Sequence, residues 1–187
     1  MPQSPITITA AEVIDLRVPT SDEMLGSDPF HKAPDYSSAV LHLETDSNLR
    51  GVSVVFTIGA GTDWMCHGIR DLCQLVVGTQ LNEFTSSPIQ LYRRLIDHHQ
   101  LRWLHDGVFR MAAGAVLNAM WDLWAKSLNQ PLWKLLVDLE PEFVAACIDW
   151  RNLGDDLTRK EAINLLQARR AKVSERKAAM AERGPKA

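Results

Sequence analysis

GVFRMAAGAVLNAMWDLWAKSLNQPLWKLLV, residues 107–137, is the stretch whose reading decides the fold of this chain. From Val108 to Ala125 nearly every position is apolar. The polar exceptions, Arg110, Asn118, Asp122 and Lys126, fall four or eight residues apart, with Gly114 in the gap. Each step of four advances about 400° around a helix, so these side chains form one slowly drifting polar stripe. A helix that is apolar everywhere else must be clad by other elements on most of its surface. Asp122 precedes Lys126 by one turn in the favourable order. Such a pair is worth about 0.2–0.5 kcal/mol and trims the stripe without building the helix. Asn129 can take the left-handed conformation that closes a helix, and Pro131 forbids continuation. A second short helix is expected from Leu132 to Val137. On physics alone the stretch is a core helix hairpin.

Working outward towards the N-terminus, residues 6–18 (ITITAAEVIDLRV) are rich in β-branched side chains and stop at Pro19, as a strand would. Residues 20–34 carry Gly26, two prolines and several turn formers, and so form a long loop of the kind that often has a function. Residues 38–45 alternate apolar and polar, and residues 51–58 form a third strand after a turn-like 46–50. Short connections favour an antiparallel three-stranded meander. GAGTD, residues 59–63, then opens a helix with Thr62 or Asp63 expected as its N-cap and Met65, Ile69, Leu72, Leu75 and Val76 on its buried face. Ser87-Pro88 starts another helix running to about His99, with proline in its first turn. Towards the C-terminus, residues 143–150 (FVAACIDW) are apolar, bounded by Pro141 and Gly154, and read as a buried strand. Residues 158–181 read as one helix with Thr158 and Glu161 spaced as a capping box.

Composition is that of a globular chain of 187 residues, 46% hydrophobic and 23% charged, able to bury a sizeable core. No run approaches the roughly 20 apolar residues of a membrane span, and the N-terminus lacks the basic start and apolar run of a secretory signal. Three cysteines, Cys66, Cys73 and Cys147, contain no CxxC spacing and point to reduced thiols in the cytoplasm. Cys66 and Cys73 share one helical face and read as core. The net charge is −3, but residues 159–187 hold nine basic and three acidic groups. No aromatic side chain interleaves those charges, so a stacking platform for nucleic acid is missing and a solvated helix or frayed terminus is expected.

The histidines, His31, His42, His67, His98, His99 and His105, show no HxxxH or HxH pairing with a carboxylate at ligand spacing, which argues against a zinc site. His98 and His99 are expected at the surface. GAG lacks the third glycine of a dinucleotide fingerprint, and neither a GxSxG elbow nor a GxxxxGK[ST] loop occurs. Catalytic chemistry is not visible in the residues.

NAMWDLWAKSLNQPLWKLL, residues 118–136, resembles the end of the N-terminal capping domain of the enolase superfamily. VPTSDEMLGSDPFHKAPDYSSAV (18–40), TIGAGT (57–62), QLRW (100–103), the extended helix segment 115–138 and CIDWR (147–151) resemble segments of L-fuconate dehydratases. The likeness runs in order from residue 6 to about 183. It implies an α+β cap over residues 1–140, a three-stranded antiparallel meander followed by a helical bundle. Residues 141–187 would then be the start of a (β/α)7β barrel. In that family the barrel supplies a Lys-x-Lys pair, three carboxylate ligands for magnesium and a histidine base. The reaction removes the proton α to an acid-sugar carboxylate and expels the β-hydroxide.

This chain departs from the family in one block. No Lys-x-Lys and no acidic set on successive strand ends is present, so the resemblance implies no catalytic residue and no metal ligand here. Magnesium is implied for the complete family enzyme only, and the chain alone is expected to be inactive. The substrate-binding residues carried over are Gly26, Ser27 and Asp28, which match the family's Gly-small-Asp triplet, and Tyr36, which matches a loop tyrosine. Asp28 can equally be a turn cap before Pro29, and Tyr36 a strand-edge residue. Pro29 and Phe30 differ from the family's small residue and Met. HDGV after QLRW is about two residues shorter than the family segment, so Trp103 is not carried over. Expected partners are a small acid sugar and further copies of the chain, without nucleic acid or membrane. The rival readings are an interaction module that binds a full-length homologue and an unstable truncated product.

Overall fold

A computed structural model of the protein describes residues 5–104, 106–153 and 156–183. His105, Gly154 and the residues after Arg183, which entered the sequence reading, lie outside the described residues. The chain divides into two compact units, Met1–Asn129 and Gln130–Ala187.

In the first unit three strands, β1 (Ile8–Leu16), β2 (Ser37–Thr45) and β3 (Arg50–Thr57), form an antiparallel sheet in the order β1-β2-β3. This is the expected meander. The period-2 alternation of β2 sends Ala39, Leu41 and Leu43 to one face, where all three are fully buried. The helices α1 (Thr62–Cys73), α2 (Leu81–Ser86), α3 (Pro88–Ile96) and α4 (Val108–Ser127) follow. Ile8, Ala39, Leu41 and Leu43 join Met65, Cys66, Ile69 and Leu72 of α1 and Ala112, Val116, Ala119, Met120 and Leu123 of α4 in one core. Cys66 and Cys73 are both buried in it, unpaired. Phe84 of α2 meets Trp121 edge-on at 5.2 Å, and Trp121 stacks on Trp124 at 5.1 Å.

The polar stripe of α4 has partners in neighbouring elements. Asp122 accepts a 2.8 Å hydrogen bond from the Val52 amide of the edge strand β3, and Lys126 donates to the Arg50 carbonyl at 2.9 Å as well as pairing with Asp122. Arg110 donates to the Tyr92 hydroxyl of α3 at 2.6 Å. Between these bonds the backbones come close. A Cβ on Gly51 would lie 2.4 Å from the Ala119 carbonyl oxygen, and Ser53 donates to the Ala115 carbonyl at 2.8 Å. Asn129 closes the helix with φ of 50°, as its identity and Pro131 predict.

Two local expectations of the first unit change. The N-cap of α1 is Gly61, not Thr62 or Asp63. Thr62 is fully buried and uses its hydroxyl to donate to the Gly59 carbonyl at 2.7 Å, which draws it into the helix. The helix begun at Pro88 stops at Ile96, short of His99. His98 and His99 follow it, stacked at 4.9 Å, and His98 is half-buried while His99 is exposed.

The second unit is helical: α5 (Leu132–Asp138), α6 (Pro141–Ala146), α7 (Arg159–Arg170) and α8 (Val173–Arg183). The reading of residues 143–150 as the first barrel strand is corrected. Pro141 occupies the first turn of α6, where its missing amide costs nothing, and Cys147 and Ile148 bond back to Phe143 and Ala145. With no neighbouring strand among the described residues of this unit, local i→i−4 bonding satisfies the backbone. The Trp150 indole donates to the Ala145 carbonyl at 2.8 Å. Thr158 and Glu161 form the expected capping box, but the helix it opens breaks at Ala171–Lys172 into α7 and α8. Among the described residues no helix is long and apolar enough to cross a membrane.

Candidate functional site

The long loop between β1 and β2 and the short loop between β3 and α1 meet at one end of the sheet, because antiparallel pairing places the end of β1, the start of β2 and the end of β3 together. Several bonds hold them. The Arg17 guanidinium, clamped on Asp15, donates to the Gly59 carbonyl at 2.7 Å. The Asp35 amide bonds the Ile58 carbonyl, and a Cβ on Gly59 would come within 2.9 Å of the Asp35 Cβ. Across the base of the long loop, Asp35 Oδ1 accepts from both the hydroxyl (2.6 Å) and the amide (3.1 Å) of Ser21. Those donors hold the Asp35 carboxyl below the ordinary carboxylate range. Thr20 donates to the Pro34 carbonyl and accepts from the Tyr36 amide.

Of the four carried-over residues, the structure brings two into contact. The Tyr36 hydroxyl donates to the Gly26 carbonyl at 2.7 Å. Gly26 sits at φ of 71°, and a Cβ there would overlap the Tyr36 ring at 2.1 Å. Only glycine satisfies both the dihedral and the contact. The Tyr36 ring also lies 5.5 Å from Phe56 of β3. Ser27 turns back onto the loop and donates to the Met24 carbonyl at 3.0 Å. Asp28 does not touch Gly26 or Tyr36 through its side chain. Its carboxylate accepts from the amides of His31 (2.7 Å) and Phe30 (2.8 Å) and stands 3.1 Å from the His31 ring nitrogen. The His31 amide, then its ring, then the Phe30 amide lower the carboxyl below its usual range. Asp28 therefore organises the turn at Pro29, with Oδ1 taking both amides and Oδ2 facing the His31 ring.

Around these polar groups the loop leaves Met24, Leu25 and Phe30 in solvent, Phe30 at 92% exposure, and α1 adds Trp64. A loop held at its base, with exposed apolar side chains, a carboxylate and a hydroxyl at its tip, suits recognition of a polyhydroxylated anion once a second surface faces it. Arg17 and Asp35 escaped the sequence reading. Their only signal was position, two residues before Pro19 and directly after Pro34, because their partners lie 42 and 14 residues away.

Among the described residues no three metal-ligating side chains converge at this end. Among the described residues the one group of three convergent metal-ligating side chains is Glu12, His42 and Glu44, near the other end of the strands. The residues of the loop end do not fit the magnesium site that the family implies.

The architecture is that of an enolase-superfamily N-terminal cap: a three-stranded antiparallel sheet followed by helices, with loops gathered at one end. Residues 10–137 match the family described as "Mandelate racemase / muconate lactonizing enzyme, N-terminal domain", and the chain belongs to that family. Mitochondrial enolase superfamily member 1 of Xenopus laevis is 43% identical over 164 residues, 86% of this chain and 37% of the relative. L-Galactonate dehydratase of Hypocrea jecorina is 41% identical over 170 residues, 90% of this chain and 38% of the relative. The crystal structure of human mitochondrial enolase superfamily member 1 superposes with a TM-score of 0.90 at 38% identity, covering 94% of this chain and 41% of that one. The fold alone is shared with a Bradyrhizobium enolase crystallised with magnesium and mandelic acid (TM-score 0.59, 20% identity, 72% of this chain, 35% of that one). The chain thus spans about two fifths of the length of the curated relatives it matches.

Proposed function

We propose that this chain is the substrate-specificity cap of an acid-sugar hydro-lyase of the L-fuconate dehydratase type, with the proton-transfer groups and metal ligands supplied by residues that this chain does not contain. The observation that carries the reading is the tethered loop of residues 17–36. Its Gly26–Tyr36 contact fixes the tip, while Ser27 and Asp28 offer a hydroxyl and a carboxylate that can pair with sugar hydroxyls. The sugar-acid class is supported by the name of the Hypocrea relative, an L-galactonate dehydratase. In a complete enzyme of this type magnesium would neutralise the substrate carboxylate. The part of this chain is to bind the substrate's hydroxyls, orient it and exclude water. Three unpaired cysteines, two of them buried, support a reducing compartment such as the cytoplasm.

Two experiments test the reading. The purified chain, given L-fuconate and magnesium, is expected to show no turnover; dehydration by this chain alone overturns the division of labour. A chimera of the Hypocrea enzyme carrying residues 10–137 of this chain in place of its own matching segment should shift its kcat/KM ratio towards L-fuconate over L-galactonate. An active chimera with an unchanged ratio removes the specificity role.

A further inference from the structure

On the sheet face opposite the core, and near the end remote from the loops, three potential metal ligands converge. His42 and Glu44 are two residues apart on β2, so the strand's alternation projects both to the same face. Glu12 of β1 lies directly opposite His42 in the register. The ligating atoms of Glu12, His42 and Glu44 all lie within 4.8 Å of one another, and His42 Nδ1 is 3.3 Å from a Glu12 carboxylate oxygen. Ligands of a tetrahedral zinc ion at about 2.1 Å stand about 3.4 Å apart, so glutamate rotations of about an ångström close the set. Arg50, opposite Glu44 on β3, already brings positive charge to this spot. Its guanidinium lies 2.7 Å from Glu44 Oε1 and 3.3 Å from His42 Nδ1.

We propose that Glu12, His42 and Glu44 form a surface site for a divalent transition-metal ion of the zinc type, with Arg50 as the resident cation that the metal displaces. One imidazole and two carboxylates are borderline-to-hard donors that suit zinc, and a three-ligand set on two paired strands leaves a coordination position for water. The strands fix the donor spacing before the ion arrives, so little ordering accompanies binding. Arg50 is half-exposed and can swing into water, because an exposed ion pair holds it only weakly. The residues of this site lie about 13–23 Å along the strands from the β1–β2 loop, at roughly 3.3 Å per residue. It does not depend on the role proposed for that loop.

Zinc titration of the full chain by isothermal calorimetry, in a metal-free and non-chelating buffer, tests the site. One ion should bind per chain. Glu12→Gln and His42→Ala, each shown to be folded by circular dichroism, should weaken binding about tenfold or more, since even outer-sphere changes cost 10–100-fold at metal sites. If one of these does not fold, Glu44→Gln takes its place. Arg50→Gln should tighten binding, an outcome that a merely structural Arg50 would not give. Cobalt substitution supplies a second readout, with a visible absorption band that His42→Ala abolishes. Absence of binding up to about 1 mM zinc, uptake unchanged in Glu12→Gln and His42→Ala, or weaker binding by Arg50→Gln would each overturn the proposal.

Discussion

Gly26 and Tyr36 fix the tip of the β1–β2 loop through one hydrogen bond and one close contact, and the two can be separated by mutation. Tyr36→Phe removes only the hydroxyl that donates to the Gly26 carbonyl. It should cost about 0.5–1.5 kcal/mol in urea-denaturation stability. Gly26→Ala adds a methyl group where the ring already stands and strains a positive φ. It should cost more than Tyr36→Phe, and the double variant less than the sum of the two, because the ring that clashes also makes the bond. Asp35 supplies a pH test at the same scale. Its carboxyl is lowered in the folded protein by the Ser21 hydroxyl and amide. The loop order it contributes is therefore fully present above the unfolded value near 3.8 and is lost as the pH falls through the folded one. The Ser21 amide resonance should titrate with a midpoint below 3.8, and that transition should vanish in Asp35→Asn. A midpoint at or above the ordinary value would contradict the tether. His31, the principal partner of Asp28, was legible only as a loop histidine, because a turn contact three residues away has no periodic pattern to betray it.

At the scale of elements, α4 and β3 are joined by a seam in which small residues and one acid do the connecting. The helix itself was readable from residues 107–137, because 3.6-residue periodicity and the Asn129–Pro131 stop are local properties. The strands were readable from alternation and turn spacing for the same reason. What the pattern could not disclose is that Asp122 caps an edge-strand amide, since that bond spans 70 residues. Asp122→Ala should leave the Val52 amide unpaired and cost about 1–3 kcal/mol, more than the loss of a surface pair with Lys126 would. Gly51→Ala should cost a comparable 1–3 kcal/mol, because its methyl would press on the backbone oxygen of Ala119. Thermal unfolding of both variants checks these values, and a change below about 0.5 kcal/mol, the surface-mutation range, would mean that the helix can shift off the strand. The apolar run at residues 143–150 was misread for a complementary reason. Composition alone does not separate a short buried strand from a short helix, and the proline just before it, with no strand neighbour among the described residues of its unit, favours the helix.

For the whole molecule, the two units differ in how much core each possesses. Unit Met1–Asn129 buries a continuous cluster from the sheet, α1 and α4. In Gln130–Ala187 the buried hydrophobic side chains among the described residues are Leu135, Ala145 and Ala162, two of them alanines. A unit of under 60 residues with so little apolar burial has a small margin over its conformational entropy. Its surface pairs, Arg170 with Glu140 and Lys177 with Asp138, add little in water. The cysteines report on both units without any added label site. Cys73 lies in the first core, where burial pushes its thiol up to about 12. Cys66 is raised there for the same reason. Cys147, half-buried and also raised by burial, belongs to the second unit. Thiolate is the reactive form, so each thiol should alkylate only when its own unit opens. Iodoacetamide labelling across a urea series, read by peptide mass spectrometry, should modify Cys147 at lower urea than Cys66 and Cys73, which should follow a single later transition. Coincident labelling of all three would instead show one cooperative unit, and labelling of Cys73 before Cys147 would reverse the order of stability that the two cores imply.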